Sequence, residues 1–201
     1  MIRTVLFDFG NVVVPVDFRG CYEALSAVCP HAPQDVPRIF SGSGLASQYE
    51  KGRISTEEFV ERTCQLLSMN VTSEEFWDLW GRIFLPDPLL PESLFEAVRA
   101  RHRLLLLSNT NAMHFELARQ RFALLRHFDG YVLSYEVGAM KPSPEIYQEA
   151  IARAGCRPEE CFFTDDVLAN VEGARREGMQ AVQFHSWEQL QAALRAHGIL
   201  E

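Results

Sequence analysis

The chain has 201 residues, of which 47% are hydrophobic and 23% are charged, and its formal net charge at pH 7 is −8. This length suits one α/β domain with or without a small insertion, and the composition argues against a disordered or fibrous chain. The acidic balance and the absence of a basic run argue against nucleic acid or an anionic membrane as a partner.

The five cysteines are odd in number, and no two of them form a C-x-x-C pair. This usage is typical of free thiols in a reducing compartment and not of disulfides or zinc ligands. The first residues run directly into a predicted strand without the pattern of a signal peptide. No apolar run approaches the roughly 20 residues that span a bilayer. We therefore expect a soluble cytoplasmic protein.

A buried strand is predicted at the start of the chain, and it ends in a carboxylate. Residues 5–12 read Val-Leu-Phe-Asp-Phe-Gly-Asn-Val, an apolar run followed by a Gly-Asn turn signal. The turn holds Asp8 at the carboxyl end of the strand, where open α/β sheets bind their ligands. A carboxylate in this position can act as a nucleophile, so Asp8 is the first candidate catalytic residue.

The next part of the chain carries helical patterns and no convincing strand. Apolar residues recur at helical spacing after Phe18, and two capping boxes, which begin at Ser55 and Thr72, each open a further helix. The stretch 85–88, Leu-Pro-Asp-Pro, then breaks the pattern. We therefore predict an all-helical insertion over residues 16–88.

From residue 89 onward, strands alternate with helices, as in βα units on a parallel sheet. The predicted strands are 2–7, 104–107, 131–133, 161–163 and 181–184. The predicted helices are 92–101, 112–122, 144–154, 168–177 and a last helix that Ser186 caps. The predicted fold class is therefore α/β, with a doubly wound, Rossmann-like core built on a parallel five-stranded sheet. Residues 1–15 and 89–201 form this core. The helical insertion follows strand one and forms a cap.

Polar residues follow three further core segments. Each of them alone has an ordinary explanation as a turn residue, a helix cap or a solvated lysine. Together their chemistry is complementary to that of the nucleophile. Ser108 and Asn109 offer uncharged donors for phosphoryl oxygens, and Lys141 offers a cation. Asp165 and Asp166 offer hard oxygen ligands that suit Mg²⁺. In-line phosphoryl transfer needs a nucleophile, a metal clamp and such donors.

The order of these residues resembles the four motifs of the haloacid dehalogenase-like hydrolases. These motifs are a nucleophilic Asp on strand one, a Ser or Thr closing strand two, a Lys, and an acidic group closing strand four, matched here by Asp8, Ser108, Lys141 and Asp165-Asp166. The resemblance covers nearly the whole chain, and the helical insertion is similar to the family's cap. The variants Phe-Asp-x-Gly-Asn-Val and Leu-Ser-Asn-Thr-Asn and the cap stretch 50–55 look most like those of the family's bacterial α-D-glucose-1-phosphate phosphatases.

The resemblance implies a Mg²⁺-dependent phosphatase that hydrolyses a small-molecule phosphate ester through an aspartyl-phosphate on Asp8. It also implies a sheet in which strands one and four are neighbours. The implied roles are catalysis for Asp8 and Lys141, substrate binding for Ser108, Asn109 and Lys141, and metal binding for Asp8, Gly10 (through its carbonyl), Asp166 and Asp165. Of the acidic pair, Asp166 is the better match to the family's direct ligand, which leaves Asp165 a supporting or water-mediated role.

The sequence departs from the family's phosphatases at Gly10. Most of them have a second Asp there, which protonates the leaving oxygen and then activates water. General acid–base help of this kind is worth about 10²–10⁴-fold, and its loss should slow poor leaving groups most. We therefore hypothesise a preference for sugar 1-phosphates, whose anomeric oxygen leaves easily. Asp17 could supply the acid instead, although an Asp before a helix is usually a cap.

Two other functions stay open from the sequence. A 2-haloacid dehalogenase needs neither a metal nor a leaving-group acid, so Gly10 is compatible with it, but the Asp165-Asp166 pair has no purpose there. A non-catalytic pseudo-phosphatase that binds a phosphorylated ligand is also compatible with Gly10, but retention of Asp8 argues against it. Halide release without Mg²⁺ would indicate the first, and ligand binding without turnover the second.

Overall fold

The computed structural model of the chain describes residues 1–201 and contains one sheet of five parallel strands. The strands are β1 Thr4–Phe7, β2 Arg103–Ser108, β3 Gly130–Leu133, β4 Cys161–Asp165 and β5 Gln180–Gln183. Their order in the sheet is β3-β2-β1-β4-β5, which places β1 at the centre between β2 and β4. The predicted parallel five-stranded sheet is therefore confirmed, and its winding reverses between β1 and β4.

Eleven α-helices surround the sheet, five of them between β1 and β2. These five are α1 Phe18–Ser26, α2 Val36–Ser43, α3 Leu45–Glu50, α4 Thr56–Leu67 and α5 Ser73–Trp80. The other six are α6 Glu92–Arg99, α7 Ala112–Arg121, α8 Ser134–Val137, α9 Pro144–Ala154, α10 Leu168–Arg176 and α11 Trp187–Ala196. None of the eleven combines the length and the apolar character that crossing a membrane would require.

The sheet is covered by helices on both faces, because alternate residues of its central strands point to opposite sides. Leu105 and Leu107 of β2 pack in one apolar cluster with α9 and α10. Leu104 and Leu106 belong to the other, larger cluster, which contains side chains of α6, α7 and α11. This larger cluster continues into the helical insertion, so the insertion and the sheet share one core.

The interior of the insertion is aromatic. The ring of Phe59 on α4 stacks on Tyr49 at 4.3 Å between centroids, and it meets Trp80 of α5 edge-on at 5.1 Å. Phe40 of α2 and Phe76 of α5 complete the cluster, and all five rings are buried. These five rings form the core of the cap, and Trp77 of α5 packs against it half-buried.

Local signals fix the ends of the cap helices. Thr72 forms a full capping box with Glu75 at the start of α5, whereas at the start of α4 only the Ser55 hydroxyl makes its bond, to the backbone N–H of Glu58. Pro37 lies in the first turn of α2, where its missing N–H has no helical partner to lose.

Two connections join the insertion to the sheet, and they run side by side. Val16 and Phe84 form an isolated antiparallel bridge. On one side of it the backbone N–H of Asp17 donates to the carbonyl of Ile83 at 2.8 Å, and on the other the N–H of Leu85 donates to Pro15 at 3.2 Å. We propose that this crossing bounds the cap, residues 16–88, from the core, residues 1–15 and 89–201.

Candidate active site

The carboxyl ends of β1, β2 and β4 meet at one edge of the sheet, because these strands are parallel neighbours. A cavity of about 250 Å³ opens at this edge, between the sheet and the cap. Its core wall includes Asp8, Gly10, Ser108, Asn109, Lys141 and Asp166, and its cap wall includes Phe18, Glu50, Ile83 and Phe84. Six of the seven site residues selected from the sequence thus line one cavity, and the seventh, Asp165, lies behind it, fully buried.

Lys141 is the buried cation of the site. Its Nζ donates to Oδ1 of Asp8 at 2.6 Å, to Oδ2 of Asp165 at 2.6 Å and to the carbonyl of Leu107 at 3.0 Å. Burial alone would lower the pKa of Lys141, but the two carboxylates raise it above its ordinary value. Lys141 therefore stays charged and links the carboxylate after β1 to the one that ends β4.

Asp165 has no free oxygen. Besides Lys141, its carboxylate accepts from the backbone N–H of Val167 at 2.9 Å and from the side-chain amide of Asn170 at 2.9 and 3.1 Å. Both oxygens are saturated by protein donors inside the core. The contacts of Asp165 hold Lys141 and the start of α10 in place.

Asn109 fixes the loop that carries Lys141. Its side-chain oxygen accepts from the backbone N–H of Lys141 at 2.8 Å, and its side-chain nitrogen donates to the Lys141 carbonyl at 3.0 Å. Both ends of the Asn109 amide are thus engaged by the protein. The neighbouring Ser108 hydroxyl reaches only the Asn109 carbonyl, at 3.5 Å, so it is available to a ligand.

The carboxylates of Asp8 and Asp166 and the carbonyl of Gly10 face the cavity with oxygen atoms that protein donors do not saturate. Carboxylate oxygens of Asp8, Asp165 and Asp166 lie within 4.8 Å of one another. Asp166 is half-buried, and Lys141 contacts only the other two. The Gly10 carbonyl accepts no hydrogen bond. Three carboxylates against one buried lysine leave an excess of negative charge, which a divalent cation would neutralise.

The pKa values of the cavity carboxylates reflect this excess. Burial raises the pKa of Asp8 to about 7; Lys141 opposes the rise and the charge of Asp165 adds to it. Partial burial, and next the charge of Asp165, also raises the pKa of Asp166. A cation bound between Asp8 and Asp166 would lower both pKa values and so favour the ionised nucleophile.

The position where the family's phosphatases carry their acid is partly filled by a neighbouring side chain. A Cβ atom on Gly10 would lie 3.3 Å from Cγ2 of Val16, so Val16 occupies part of the space that a longer side chain needs. Asp17 does not take over that role. It caps α1 through the N–H of Arg19 and pairs with the Arg19 guanidinium at 2.7 Å, contacts that lower its pKa.

Two cavity residues were not given a role from the sequence. His114 of α7 is buried, and burial lowers its pKa to about 4. Its ring nitrogens bond the Asn111 amide at 3.0 Å and the Trp80 carbonyl at 3.1 Å, which ties the core to the cap. Glu50, at the end of α3, is the carboxylate of the cap wall. Glu50 opens the stretch 50–55, which looks like the family's cap, but a helical pattern does not reveal that this residue faces the cavity. His114 belongs to a core helix, and no motif in the sequence singles it out.

Comparison with known proteins gives a consistent result. The profile of the haloacid dehalogenase-like hydrolases matches residues 2–178. D-ribitol-5-phosphate phosphatase of Bacteroides thetaiotaomicron is 28% identical over 189 residues, which cover 91% of this chain and 92% of that protein. A phosphatase of Mycobacterium tuberculosis is 34% identical, over 90% of this chain and 86% of its own length. A crystal structure of a HAD family enzyme from B. thetaiotaomicron, in complex with magnesium and inorganic phosphate, superposes with a TM-score of 0.85 at 27% identity, covering 94% of this chain and 99% of that chain.

Proposed function

The chain belongs to the haloacid dehalogenase-like hydrolases, as its motifs predicted, and from this premise we propose that it is a Mg²⁺-dependent phosphatase of small phosphorylated metabolites. The observation that carries the proposal is the convergence of two further carboxylates, those of Asp165 and Asp166, and the buried Lys141 around Asp8. A dehalogenase that attacks carbon would have no need for the third carboxylate.

The residues present fit the metal. The donors we assign to Mg²⁺ are Asp8, the Gly10 carbonyl and Asp166, all of them oxygen atoms and thus the ligand type that Mg²⁺ prefers. The bound ion would offset the negative charge of substrate and nucleophile. Because protein donors saturate both oxygens of Asp165, we assign to it the support of Lys141 and Asn170 and not direct ligation.

The chain's own side chains account for the rest of the reaction. An oxygen of Asp8 attacks phosphorus, and the bond to the leaving oxygen breaks, which gives an aspartyl-phosphate. Lys141 favours the ionised form of Asp8 and offsets charge on the phosphoryl group. The free Ser108 hydroxyl donates to a phosphoryl oxygen. Asn109 contributes to substrate binding by holding Lys141 in position. Water then attacks phosphorus and releases Asp8 and phosphate.

The substrate class rests on three supports. The relative from B. thetaiotaomicron is named for D-ribitol 5-phosphate, a sugar-alcohol ester, and it aligns with this chain over nearly its full length. The cavity of about 250 Å³ suits a small metabolite. Its cap wall mixes apolar side chains with one carboxylate. We therefore place the substrate among sugar or polyol phosphates. The preference for sugar 1-phosphates that Gly10 suggested depends on the site having no other proton donor.

Phosphate release tests the proposal. We expect the wild type to hydrolyse at least one member of a panel of sugar phosphates, polyol phosphates and an aryl phosphate when Mg²⁺ is present, and none in EDTA. Asp8→Asn keeps the shape of the side chain but removes the nucleophile, so turnover should fall to background while melting stays cooperative. Halide release from 2-haloacids in EDTA, or phosphate binding without any turnover, would replace the proposal with a dehalogenase or a pseudo-phosphatase.

A further inference from the structure

The cap wall of the cavity carries one carboxylate, that of Glu50. Glu50 is the last residue of α3, and it is half-buried. Its carboxylate makes no hydrogen bond and no ion pair with the protein, unlike Asp8, Asp165 and Asp17. Burial, unopposed by any partner, raises its pKa to about 7. A carboxyl group in this state is expensive to bury and has no structural contact that explains it.

The remaining ionisable groups of the cavity are already engaged. Lys141 and Asp8 bind each other, and Asp166 is assigned to the metal. Both ring nitrogens of His114 are bonded, and its lowered pKa keeps the ring neutral. The cavity therefore holds one group that can give and take a proton without breaking a contact, and that group is Glu50.

The position of Glu50 suits the leaving group. In an in-line displacement the leaving oxygen lies on the side of phosphorus opposite the attacking oxygen. Asp8 attacks from the core wall, so the leaving oxygen points toward the cap wall. Among the cap-wall side chains, Phe18, Ile83 and Phe84 are apolar and Glu50 is the carboxyl.

We infer that Glu50 is the general acid–base of this enzyme. From the cap it donates and accepts the proton that a glycine at position 10 of the core cannot transfer. The inference rests on the proposed phosphatase function. In the first step Asp8 bonds to phosphorus, the bond from phosphorus to the leaving oxygen breaks, and that oxygen takes the proton of Glu50 and departs as an alcohol. In the second step water attacks the aspartyl-phosphate and gives a proton to the Glu50 carboxylate, and the bond from phosphorus to Asp8 breaks. Phosphate, Asp8 and protonated Glu50 are regenerated.

The surroundings leave Glu50 free to titrate. The ionisable side chains that share its cavity are Asp8, Lys141, Asp166 and His114, and Tyr22 of α1 lies close enough for Glu50 to raise its pKa. The helices α2, α4 and α8 pack against α3 but place no charged partner on Glu50. Because burial also raises the pKa of Asp8, only the difference between wild type and a Glu50 variant reports on Glu50.

Single-turnover kinetics of Glu50→Gln test the inference with two substrates in Mg²⁺. One is p-nitrophenyl phosphate, whose leaving group needs no proton, and the other is the alkyl phosphate that the wild type hydrolyses fastest. We expect the variant to cleave the aryl ester at about the wild-type rate in the first turnover and the alkyl ester at least about 10²-fold more slowly. For the alkyl ester, the decline of the wild-type rate above about pH 7 should be absent in the variant. Glu74→Gln, an exposed cap carboxylate, is the matched control and should behave as wild type.

Three results would overturn the inference while leaving the phosphatase intact. These are an unchanged first turnover on the alkyl ester, an equal loss on both esters, and a raised KM with unchanged kcat, which would make Glu50 a ligand of substrate hydroxyls. A wild type that hydrolyses sugar 1-phosphates but no alkyl ester would also exclude an acid at Glu50. A wild type that releases phosphate from no ester at all would overturn the proposed function and this inference together.

Discussion

Asp165 and Asp166 are adjacent in sequence but differ in what surrounds them. Asp165 is fully buried and meets four protein hydrogen bonds, from Lys141, Val167 and, through both oxygens, Asn170. Asp166 is half-buried, and the charge of its neighbour raises its pKa. The contacts of Asp165 therefore stabilise the folded site, whereas the raised pKa of Asp166 is consistent with the metal-ligand role that we propose for it.

Amide variants of the two aspartates should separate these roles. Asp165→Asn removes one of the two carboxylates that bind Lys141. It should lower the free energy of unfolding by about 1–3 kcal/mol, and Mg²⁺ should still raise the melting temperature of this variant. Asp166→Asn removes a charge repulsion, so the metal-free protein should melt at or above the wild-type temperature, but Mg²⁺ should no longer stabilise it. Thermal melting with EDTA and with increasing Mg²⁺ measures both effects. A Mg²⁺ response lost in Asp165→Asn and kept in Asp166→Asn would reverse the assignment of the ligand.

Glu50 should make stability depend on pH. In the unfolded chain its carboxyl ionises near the ordinary value of 4.5, whereas the folded protein holds the proton up to about 7. The folded state therefore binds more protons between these values, so the free energy of unfolding falls as pH rises through this window and levels off above it. Glu50→Gln lacks this decline and should exceed the wild type by at most about 3 kcal/mol at pH 8 and match it near pH 4. Urea unfolding at both pH values measures the difference, and equal stability of the two proteins at pH 8 would contradict the raised pKa.

At the scale of single elements, the sequence predicted what local signals determine. The strands are short apolar runs, and Ser55, Thr72 and Ser186 cap their helices as expected. The polar strand ends also lie together, because parallel neighbours share an edge. The approach of Glu50 to this edge was not predictable, since it depends on how α3 packs across the chain. The pKa of Glu50 comes from burial, which no motif encodes.

The loop between α3 and α4 docks on the core by close contact. Gly52 has a φ of +60°, and a Cβ at this position would lie 2.1 Å from the carbonyl oxygen of Tyr135 in α8. Gly52 lies two residues after Glu50, so this contact also sets where the end of α3 lies. Only a residue without a side chain permits both the left-handed backbone and the approach to α8.

Gly52→Ala should therefore cost more than backbone strain alone. We expect it to lower the free energy of unfolding by more than the roughly 1–2 kcal/mol of a left-handed alanine, and to slow hydrolysis because α3 is displaced. Gly44→Ala is the matched control, since Gly44 has a φ of +69° and a Cβ there would have its nearest neighbour at 3.9 Å. Chemical denaturation compares the two variants. If both lose the same stability, the contact with Tyr135 does not fix the loop.

For the whole molecule, the question is how a substrate reaches a cavity between core and cap. The two bodies are joined by the paired connections around Val16 and Phe84. They also meet where the Tyr49 hydroxyl accepts from the N–H of Met113 at 3.2 Å, and where the His114 ring stacks on Trp80 at 4.9 Å between centroids. These contacts hold the cap down over Asp8, and they must break if the cap is to open.

We predict that the cap opens about hinges at 14–17 and 86–91 and closes on its ligand. In hydrogen exchange, the amides of Met113 and Leu85, which bond across the junction, should exchange faster in the metal-free protein than with Mg²⁺ and inorganic phosphate. The amide of Leu105, inside the sheet, is the internal control and should exchange at the same slow rate in both. Closing of the cap re-forms the hydrogen bonds of the Met113 and Leu85 amides and leaves the sheet unchanged. The difference in exchange rate should therefore be confined to the junction and the hinges. Equal protection of both hinges with and without ligand would indicate a cap that stays closed, with entry through the mouth of the existing cavity instead.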